Sequence, residues 1–414
     1  MQCPRVNGTK SQIKLLFTAF EPSGDDHAAA VIRELKRRWP DLSIYAWGGP
    51  KMARAGAEII ASTGDDAVVG APGWDTIKRY LRIRRDIADW MRANRPTVHI
   101  PVDSPGANFT IAKSAKRLGI KVTHLVAPQL WAWGPWRIGK LKRCTDHVLC
   151  LLPFEAAWFE RRGVRATFIG HPLFDEPLDF DAIDQRVRSL PTGEPRVAIL
   201  PGSRAAELRR NFPVMLAAFR ELRRRHPNLV GVVAATNETT RGQLQARADL
   251  LGGWPEGLDL VVSDTDLVIR WCQVALAVSG TVSLQIAKQA CPMVVMYKTN
   301  KIAWKILGSW LIRSPFIALP NLIAGRAVIP ELFPYFKGHM RLVEAADAVL
   351  TNPQEQESQR RALVEIVQQF AGKNASHDAA DAIERMAGLV PGDSEIEPKR
   401  QPGASRPRAT AVHM

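Results

Sequence analysis

The residues of this chain that are best suited to chemistry lie in short polar segments that follow apolar runs. One such segment begins with Asp103, which follows the apolar run 97–102 and precedes Ser104. A carboxylate at the end of a strand can accept a proton from a substrate hydroxyl, as a general base does, but an aspartate there can also simply cap a turn. Asp103 is therefore a candidate catalytic base, with a turn cap as the alternative.

Two later segments have the residue types of phosphate-binding turns at the predicted starts of helices. They are Gly202, Ser203 and Arg204 after the apolar run 196–200, and Ser279, Gly280 and Thr281 after the run 274–278. Free backbone N–H groups at a helix start favour anions, and an arginine can pair with a phosphate. The two turns predict a nucleotide site, with two ordinary helix caps as the alternative. Neither is a Walker motif, because no Gly-Lys-Ser/Thr sequence follows.

The first apolar run, 15–19, leads into the segment EPSGDDH, which is another candidate for substrate contact. Its candidate residues are Glu21, Ser23, Gly24 and Asp25. A glycine permits a tight turn and an aspartate can cap the next helix. This segment is predicted to be either a substrate-binding loop or a structural turn.

Three polar residues, Asn321, Arg326 and Glu331, lie within the apolar segment ALPNLIAGRAVIPEL. Buried polar groups are nearly always hydrogen-bonded. These side chains are therefore expected either to contact a ligand or to satisfy the backbone of their own loop, and the residue types alone leave both alternatives open.

Several metal-binding and hydrolytic motifs are missing from the sequence. The 9 histidines are scattered without metal-ligand spacing, so we expect neither a metal nor another cofactor. His171, in the segment GHPL, is interpreted as a structural or domain-joining residue. The sequence contains neither GxSxG nor HExxH, which argues against a hydrolase.

The N-terminal segment and the cysteines indicate the compartment. The N-terminus lacks the apolar run of a secretion signal, and no stretch reaches the roughly 18 to 20 apolar residues that span a bilayer. The 5 cysteines are odd in number and lack CxxC spacing, which suits a reducing compartment. We therefore expect a cytoplasmic protein.

The charge balance points to anionic partners. Lys and Arg number 56 against 41 Asp and Glu, a net charge of +15, which suits nucleic acid, nucleotide phosphates or an acidic membrane surface. No nucleic-acid-binding signature occurs, so nucleic acid is not an expected partner. Two stretches, 74–91 and 302–312, place apolar residues at helical spacing beside basic ones. They predict helices that either contact an anionic membrane surface or pack on the core.

The elements that hold these segments alternate between short apolar runs and helix-length stretches, the pattern of βαβ units in a parallel sheet. The predicted strands are 15–19, 43–47, 97–102, 121–126 and 147–152 in the first half, and 196–200, 229–234, 258–262, 274–278 and 292–297 in the second. A chain of 414 residues is too long for one ordinary core. The predicted fold class is α/β, with two doubly wound, Rossmann-like domains that face each other across a cleft.

The same pattern predicts the domain limits. Residues 1–188 form the first predicted domain and residues 189–350 the second, with a turn-rich linker near residue 190. C-terminal helices are predicted over 351–390, where a helical segment runs from about 353 to 386. The tail 391–414 is polar and rich in Pro and Arg, so we expect it to be disordered.

In these segments the chain resembles the lipid-A-disaccharide synthase family, whose members have the GT-B glycosyltransferase fold. The resemblance runs from about residue 15 to residue 332. The matching strings are EPSGD, GGPKM, VDSPGANF, APQLWAWGPWRIGKLKR, LLPFEAAWFERRGV, FIGHPL, LPGSRAAELRR, SGTVSLQIA, CPMVVMYK and LPNLIAGRAVIPEL. The strings WAW and LPNLIAGR are particularly characteristic of the family.

The resemblance implies an inverting glycosyltransferase of lipid A biosynthesis that needs no metal. In the implied reaction, UDP-2,3-diacylglucosamine donates its sugar to 2,3-diacylglucosamine 1-phosphate, which gives a β(1→6) disaccharide and UDP. Acylated substrates imply peripheral association with the inner face of the cytoplasmic membrane, and a homodimer is left open.

The resemblance also assigns roles to residues of this chain. Asp103 would be the base, in an acceptor-binding and catalytic first domain. The second domain would hold UDP, with Arg204 near phosphate. The implied nucleotide-binding residues are those of the two glycine turns together with Gln285, Asn321, Arg326 and Glu331. Gln285 stands where the family usually has a glutamate that is expected to hold the ribose hydroxyls.

Two rival functions remain open. One is another GT-B UDP-sugar enzyme, such as a UDP-N-acetylglucosamine epimerase or a peptidoglycan-type transferase, which would lack the WAW and LPNLIAGR strings. The other is a catalytically altered or silent family member that binds lipid or nucleotide. Gln285 and Gly106, which depart from the family pattern, motivate it, whereas the retained Asp103 argues against it.

Overall fold

The computed structural model describes residues 13–63, 74–132, 134–299 and 314–389. Two parallel β-sheets organise them, and the first sheet has the order β3-β2-β1-β4-β5-β6-β7. Its strands are β1 (Lys14–Thr18), β2 (Ser43–Gly48), β3 (Glu58–Ser62), β4 (Val98–Pro101), β5 (Lys121–Leu125), β6 (His147–Cys150) and β7 (Ala166–Phe168). The helices along this part of the chain are α1 (Pro22–Arg38), α2 (Pro50–Arg54), α3 (Trp74–Asn94), α4 (Pro105–Arg117), α5 (Ile138–Cys144) and α6 (Pro153–Glu160). Short 3-10 helices lie at Pro135–Arg137 and Pro172–Phe174.

The second sheet has the order β10-β9-β8-β11-β12-β13. Its strands are β8 (Arg196–Leu200), β9 (Val230–Ala235), β10 (Leu258–Val262), β11 (Val274–Val278), β12 (Met293–Lys298) and β13 (Glu331–Tyr335). The helices of this part are α7 (Phe180–Val187), α8 (Ala205–Arg225), α9 (Glu238–Asp249), α10 (Thr265–Trp271), α11 (Val282–Lys288), α12 (Leu319–Ala324), α13 (Met340–Thr351) and α14 (Pro353–Gln368). A last helix, α15 (Ala375–Ala387), follows.

Both sheets reverse their strand order at one place, between β1 and β4 in the first and between β8 and β11 in the second. Helices leave the two sides of such a point in opposite directions, which opens a crevice at the carboxyl ends of the strands where ligands bind. The segments after these four strands contain EPSGDDH, Asp103 and the two glycine turns that the sequence offers for chemistry. The predicted doubly wound α/β class is therefore confirmed, and the topology explains why those segments share one edge.

The apolar runs form strands because helices cover both faces of each sheet, which favours continuous Val, Ile, Leu and Ala sequences. Each of the ten predicted runs contains a strand, within one or two residues of its limits. Strands β3, β7 and β13 were not predicted. The edge strand β3 carries exposed polar residues, β7 has only three residues, and β13 contains Pro334.

The helical segment predicted from 353 to 386 contains two helices, α14 and α15. The chain turns between α14 and α15 near Gly372, whose φ of +73° is a left-handed conformation that favours glycine. Helix α14 packs on the second domain beside α11, whereas α15 returns to the first domain and packs on α1. The limits drawn for the domains stay predictions.

The helix predicted over 74–91 is α3, which extends to Asn94. Its C-terminal half packs on the core through Ile87 and Met91, whereas Leu81 and the neighbouring Arg82 are exposed. The second stretch that was considered for membrane contact, 302–312, and the tail 391–414 lie outside the described residues. Within the described ranges, no helix combines the length and apolar character needed to cross a bilayer.

Candidate active site

A cavity of about 480 Å³ lies between the carboxyl edges of the two sheets. From the first domain it is lined by Ser23, His27, Asp103, Val126, Ala127, Gln129, Leu151, Leu152, Glu155 and His171. From the second domain it is lined by Leu200, Gly202, Ser203, Arg204, Glu207, Ala234, Thr236, Thr265, Val278, Ser279, Gly280, Thr281, Val282, Gln285 and Leu319. The predicted base and both predicted phosphate turns thus meet in one interdomain space.

Asp103 lies in a constrained backbone segment directly after β4. Its backbone N–H donates to the carbonyl of Leu125 at 2.9 Å, which continues the pairing of β4 with β5 by one step. Asp103 and Ser104 both have left-handed conformations, with φ of +46° and +40°. Residues other than glycine adopt this conformation at a cost of about 1–3 kcal/mol, so the surrounding structure must hold it.

Asn108 provides that support from the buried face of α4. Its Nδ2 donates to the carbonyl of Asp103 at 2.9 Å and to that of Val102 at 3.0 Å. Its Oδ1 accepts a hydrogen bond from Thr18 Oγ1 at 2.8 Å, and Thr18 Oγ1 also lies 2.9 Å from His99 Nε2. This buried network fixes the segment that presents the Asp103 carboxylate.

The environment of Asp103 makes its carboxylate more basic than a free one. Burial raises the pKa of Asp103 above its usual range, and the charge of Glu21 raises it further. A hydrogen bond from the backbone of Ser104 and the charge of Arg204 act in the opposite direction on that pKa. A raised pKa improves a carboxylate as a proton acceptor near neutral pH.

The turn after β8 presents backbone and one cation to the cavity. Gly202 has φ of +104°, a conformation that favours glycine, and a side chain there would meet Glu207 Oε2 at 2.6 Å. Arg204 Nη1 lies 3.1 Å from Glu207 Oε1, and 67% of the Arg204 side chain is exposed. Glu207 therefore orients a guanidinium that remains open to an anionic ligand.

The turn after β11 is fixed by a different contact. Ser279 Oγ donates to the carbonyl of Ile317 at 2.7 Å, which ties this turn to the segment before α12. Gly280 and Thr281 then lead into α11, and Gln285 lies one turn further along that helix at the cavity wall. The side chain of Gln285 has no hydrogen-bond partner among the described residues, so its amide group is free to bind a ligand.

The structure separates the residues of the predicted substrate loop. Ser23 lines the cavity, whereas Gly24 is buried inside α1. Glu21 Oε1 accepts a hydrogen bond from Ser104 Oγ at 2.9 Å, which places Glu21 beside the Asp103 segment. Asp25 is buried and accepts hydrogen bonds from the backbone N–H groups of Gly49, Lys51 and Met52 at 3.0–3.1 Å. Asp25 thus caps α2 and lies outside the residues that line the cavity.

Asn321 and Glu331 act on their own loop in this structure. Asn321 Oδ1 accepts hydrogen bonds from the N–H groups of Val328 and Ile329, and Glu331 accepts from those of Ile317 and Ala318. Their side chains also join directly, because Asn321 Nδ2 donates to Glu331 Oε2 at 3.1 Å. The pair satisfies a buried backbone and shapes the wall near Leu319 without lining the cavity.

Arg326 also lies away from the residues that line the cavity. Its Nη2 is 3.6 Å from Glu365 Oε2, and 61% of its side chain is exposed. An exposed ion pair of this kind contributes little to stability. In the described part of the structure, Arg326 therefore pairs with Glu365 and not with the turns that carry Arg204 and Ser279.

Comparison with known proteins decides the family. A family model described as Lipid-A-disaccharide synthetase matches residues 15–385. The chain belongs to the lipid-A-disaccharide synthase family. Among its relatives, the lipid-A-disaccharide synthase of Geobacter sulfurreducens is 33% identical over 386 residues, which are 91% of this chain and 96% of the relative. That of Burkholderia lata is 35% identical over 387 residues, 91% of this chain and 97% of the relative.

A solved structure supports the architecture of this lipid-A-disaccharide synthase family member. A crystal structure of the glycotransferase of kitacinnamycin superimposes with a TM-score of 0.58, covering 90% of this chain and 98% of that one. The sequence identity is 17%, so this similarity shows the fold alone. The predicted GT-B fold is confirmed, and so is the predicted family.

In this member of the lipid-A-disaccharide synthase family, Glu155 is a cavity residue that the sequence did not single out. Glu155 Oε1 accepts from Trp131 Nε1 at 3.0 Å, and Oε2 accepts from the N–H of Leu152 at 3.0 Å. Burial raises the pKa of Glu155 to about 7, although these hydrogen bonds and one from Leu151 oppose the shift. Its sequence signal is its place three residues after Leu152, at the start of α6, where a glutamate caps a helix.

Proposed function

We propose that the protein is an inverting glycosyltransferase that makes lipid A disaccharide. It transfers the acylated sugar of UDP-2,3-diacylglucosamine to 2,3-diacylglucosamine 1-phosphate, forming a β(1→6) linkage and releasing UDP. The observation that carries the proposal is the position of Asp103 in one cavity with both glycine turns of the second domain. Membership of the lipid-A-disaccharide synthase family supports the choice of substrates.

In the proposed mechanism Asp103 is the general base. It takes the proton of the acceptor 6-hydroxyl while that oxygen attacks the anomeric carbon of the donor sugar. The bond from this carbon to the diphosphate breaks at the same time, and UDP leaves with the electron pair. Attack from the face opposite UDP inverts the anomeric configuration. The cost of ionising the hydroxyl falls because burial raises the pKa of Asp103.

The second domain is proposed to bind the donor. The turns at Gly202–Ser203 and Gly280–Thr281 offer backbone N–H groups to the diphosphate, and Arg204 offers a charge that stabilises the departing UDP. Gln285 is proposed to contact the ribose hydroxyls from α11. Residues 1–188 are proposed as the acceptor and catalytic domain, and residues 189–350 as the nucleotide domain.

The acylated substrates lead to a proposed location at the inner face of the cytoplasmic membrane. The exposed apolar side chains Leu81, on α3, and Trp136, near α5, are 52% and 61% exposed. Basic residues of α3 are exposed near Leu81, which suits an anionic surface. Binding to vesicles with and without anionic lipid tests this proposal. A homodimer stays a prediction, which sedimentation of the purified protein tests.

The decisive experiment incubates the purified protein with both substrates and measures the disaccharide 1-phosphate by mass spectrometry and UDP by chromatography. Wild type should form both products in equal amounts. Asp103→Ala should lose at least about a hundredfold in kcat, because a positioned general base contributes about 10²–10⁴-fold. Asp249→Ala, at the exposed end of α9, is the matched control and should retain activity.

Three results would count against the proposal in different ways. Absence of disaccharide with wild type would reject the transferase function. Binding of UDP without product would favour the catalytically silent alternative. An Asp103→Ala variant with full activity would keep the function but remove Asp103 from the base role.

A further inference from the structure

His171 lies in the cavity wall, in the segment GHPL that follows β7. His27, from α1, lies beside it, with ring centroids 6.3 Å apart and ring planes at 87°. Phe174 also contacts the His171 ring, at a centroid distance of 6.3 Å and with the ring planes at 77°. Two ring contacts therefore support the imidazole of His171, which still borders the interdomain space.

A single hydrogen bond defines the tautomer of His171. The backbone N–H of Leu173 donates to His171 Nδ1 at 3.1 Å. Nδ1 must therefore be unprotonated, and the proton of the neutral ring must lie on Nε2. Nε2 has no hydrogen-bond partner among the described residues, so its N–H is a fixed donor available to a ligand.

The ring is also kept uncharged. Burial, with a smaller contribution from the neighbouring His27, lowers the pKa of His171 to about 3. Burial lowers the pKa of His27 as well, against the raising effect of Asp26. A proton added to His171 would have to go to Nδ1, where it would oppose the N–H of Leu173.

We propose that His171 binds a phosphate oxygen of a substrate through its Nε2–H, opposite the anion-binding turns of the second domain. This inference rests on the proposed function. A phosphate oxygen accepts hydrogen bonds and does not donate them, which matches a ring whose only free group is a donor. Arg204, in the same cavity, supplies positive charge, so an uncharged donor adds direction without adding repulsion between cations.

Both substrates of the proposed reaction carry phosphate: the donor has a diphosphate and the acceptor a 1-phosphate. Binding measurements on His171→Ala distinguish which of these groups His171 contacts. If the Kd of His171→Ala for UDP rises at least about tenfold, the contact is with the diphosphate. Loss of one hydrogen bond to a charged group weakens binding by about this factor. An equal rise in KM for the acylated sugar phosphate, with the Kd for UDP unchanged, assigns it to the acceptor.

Two isosteric variants distinguish ligand binding from support of the turn. In His171→Asn the side-chain oxygen can still accept from the N–H of Leu173, but no donor remains at the Nε2 position. In His171→Gln the amide places a donor near the Nε2 position and loses the bond to Leu173. We expect Asn to behave like Ala in the binding assays, and Gln to recover most of the lost affinity.

The control variant is His377→Asn, at a histidine on α15 whose side chain is 53% exposed, and it should match wild type in every measurement. The inference is overturned if His171→Ala keeps wild-type UDP affinity and acceptor KM, or if Asn restores binding and Gln does not. Neither result touches the proposed function, whose own failure is a wild-type protein that forms no disaccharide.

Discussion

Two carboxylic acids, Asp103 and Glu155, line the same cavity, and burial raises the pKa of both. The charge of Asp103 also raises the pKa of Glu155. The charge of Glu21 likewise raises the pKa of Asp103. A buried acid that must ionise for catalysis is destabilising when it does so. Burial of the Asp103 carboxylate therefore makes it a stronger base and lowers the stability of the folded protein.

This loss of stability predicts that Asp103→Asn is more stable than wild type at neutral pH. The folded pKa of Asp103 exceeds the unfolded pKa, so the folded state holds more protons between the two values and its stability falls as pH rises through them. Removing the carboxylate should raise Tm at pH 7.5 by about 1–3 °C. The difference should shrink toward pH 4, where Asp103 is increasingly protonated. Calorimetry over this range tests the sign, and a lower Tm of Asp103→Asn at pH 7.5 would contradict it.

A second prediction concerns Gln285, whose amide is free at the cavity wall. If Gln285 contacts the ribose, a carboxylate there should accept hydrogen bonds from both ribose hydroxyls more strongly than an amide oxygen does. Gln285→Glu should then tighten the Kd for UDP by about three- to tenfold, whereas Gln285→Ala should weaken it. Titration calorimetry measures both. Equal affinities of the three proteins would remove Gln285 from the nucleotide site.

The sequence identified those cavity residues that lie in the short segments after strands. Asp103, Arg204 and Ser279 were predicted because the carboxyl ends of parallel strands meet at one edge, whatever the details of packing. Glu155 and His171 were not predicted as ligand contacts. They line the cavity only because the two domains approach each other, and local residue patterns contain no information on that approach.

At the scale of elements, the sequence predicted the strands that are buried on both faces of a sheet. It missed strands that are defined by pairing with a neighbouring strand and have no apolar run of their own. Among the described strands, β3 pairs with β2 alone, and its exposed residues give no apolar run. Strand β13 pairs with β12 although Pro334 interrupts its pattern. For a related reason, the residue types of Asn321 and Glu331 left a ligand contact and support of their own loop both open. The backbone that they satisfy is close only after β13 and α12 have packed.

Helices α1 and α15 are joined by a cluster of ions that no local pattern indicates. Arg38 Nη1 lies 2.5 Å from Asp381 Oδ1 and 3.0 Å from Glu384 Oε2. Glu384 is buried, and its Oε1 accepts from Trp39 Nε1 at 2.9 Å. Losing the arginine would leave a buried carboxylate without its cation, which costs far more than losing an exposed pair.

We therefore predict that Arg38→Ala lowers the free energy of unfolding by about 2–4 kcal/mol. The matched control is Arg37→Ala, since Arg37 is 68% exposed and, within the part of the chain that the structure describes, pairs with Glu34 of its own helix alone. The control should change the free energy by less than about 0.5 kcal/mol. Urea unfolding of the three proteins measures the difference, and equal effects of the two variants would show that the buried ions do not hold α15 in place.

At the scale of the whole molecule, two segments that connect the domains lie side by side. The chain leaves the first domain near residue 175 and returns to it near residue 375. Lys288, on α11, donates to the carbonyls of Leu173 and Glu176 at 2.7 and 2.6 Å. Asp175 accepts from the N–H groups of Ala375 and Ser376 at 2.7 and 3.2 Å, which ties the outgoing and returning segments together. The second domain is therefore inserted into a first domain that α15 completes.

This topology predicts that a chain ending at residue 372 has an unstable first domain, although it contains every strand of both sheets. Helix α15 contributes five buried apolar side chains to the first domain, Ala379, Ala380, Ala382, Ile383 and Ala387. Their loss uncovers α1 and should cost several kcal/mol, so calorimetry should show a new transition at lower temperature. A chain ending at residue 390 is the control and should melt as wild type does. A single, unshifted transition in the shorter chain would mean that α15 only rests on a domain that is already complete.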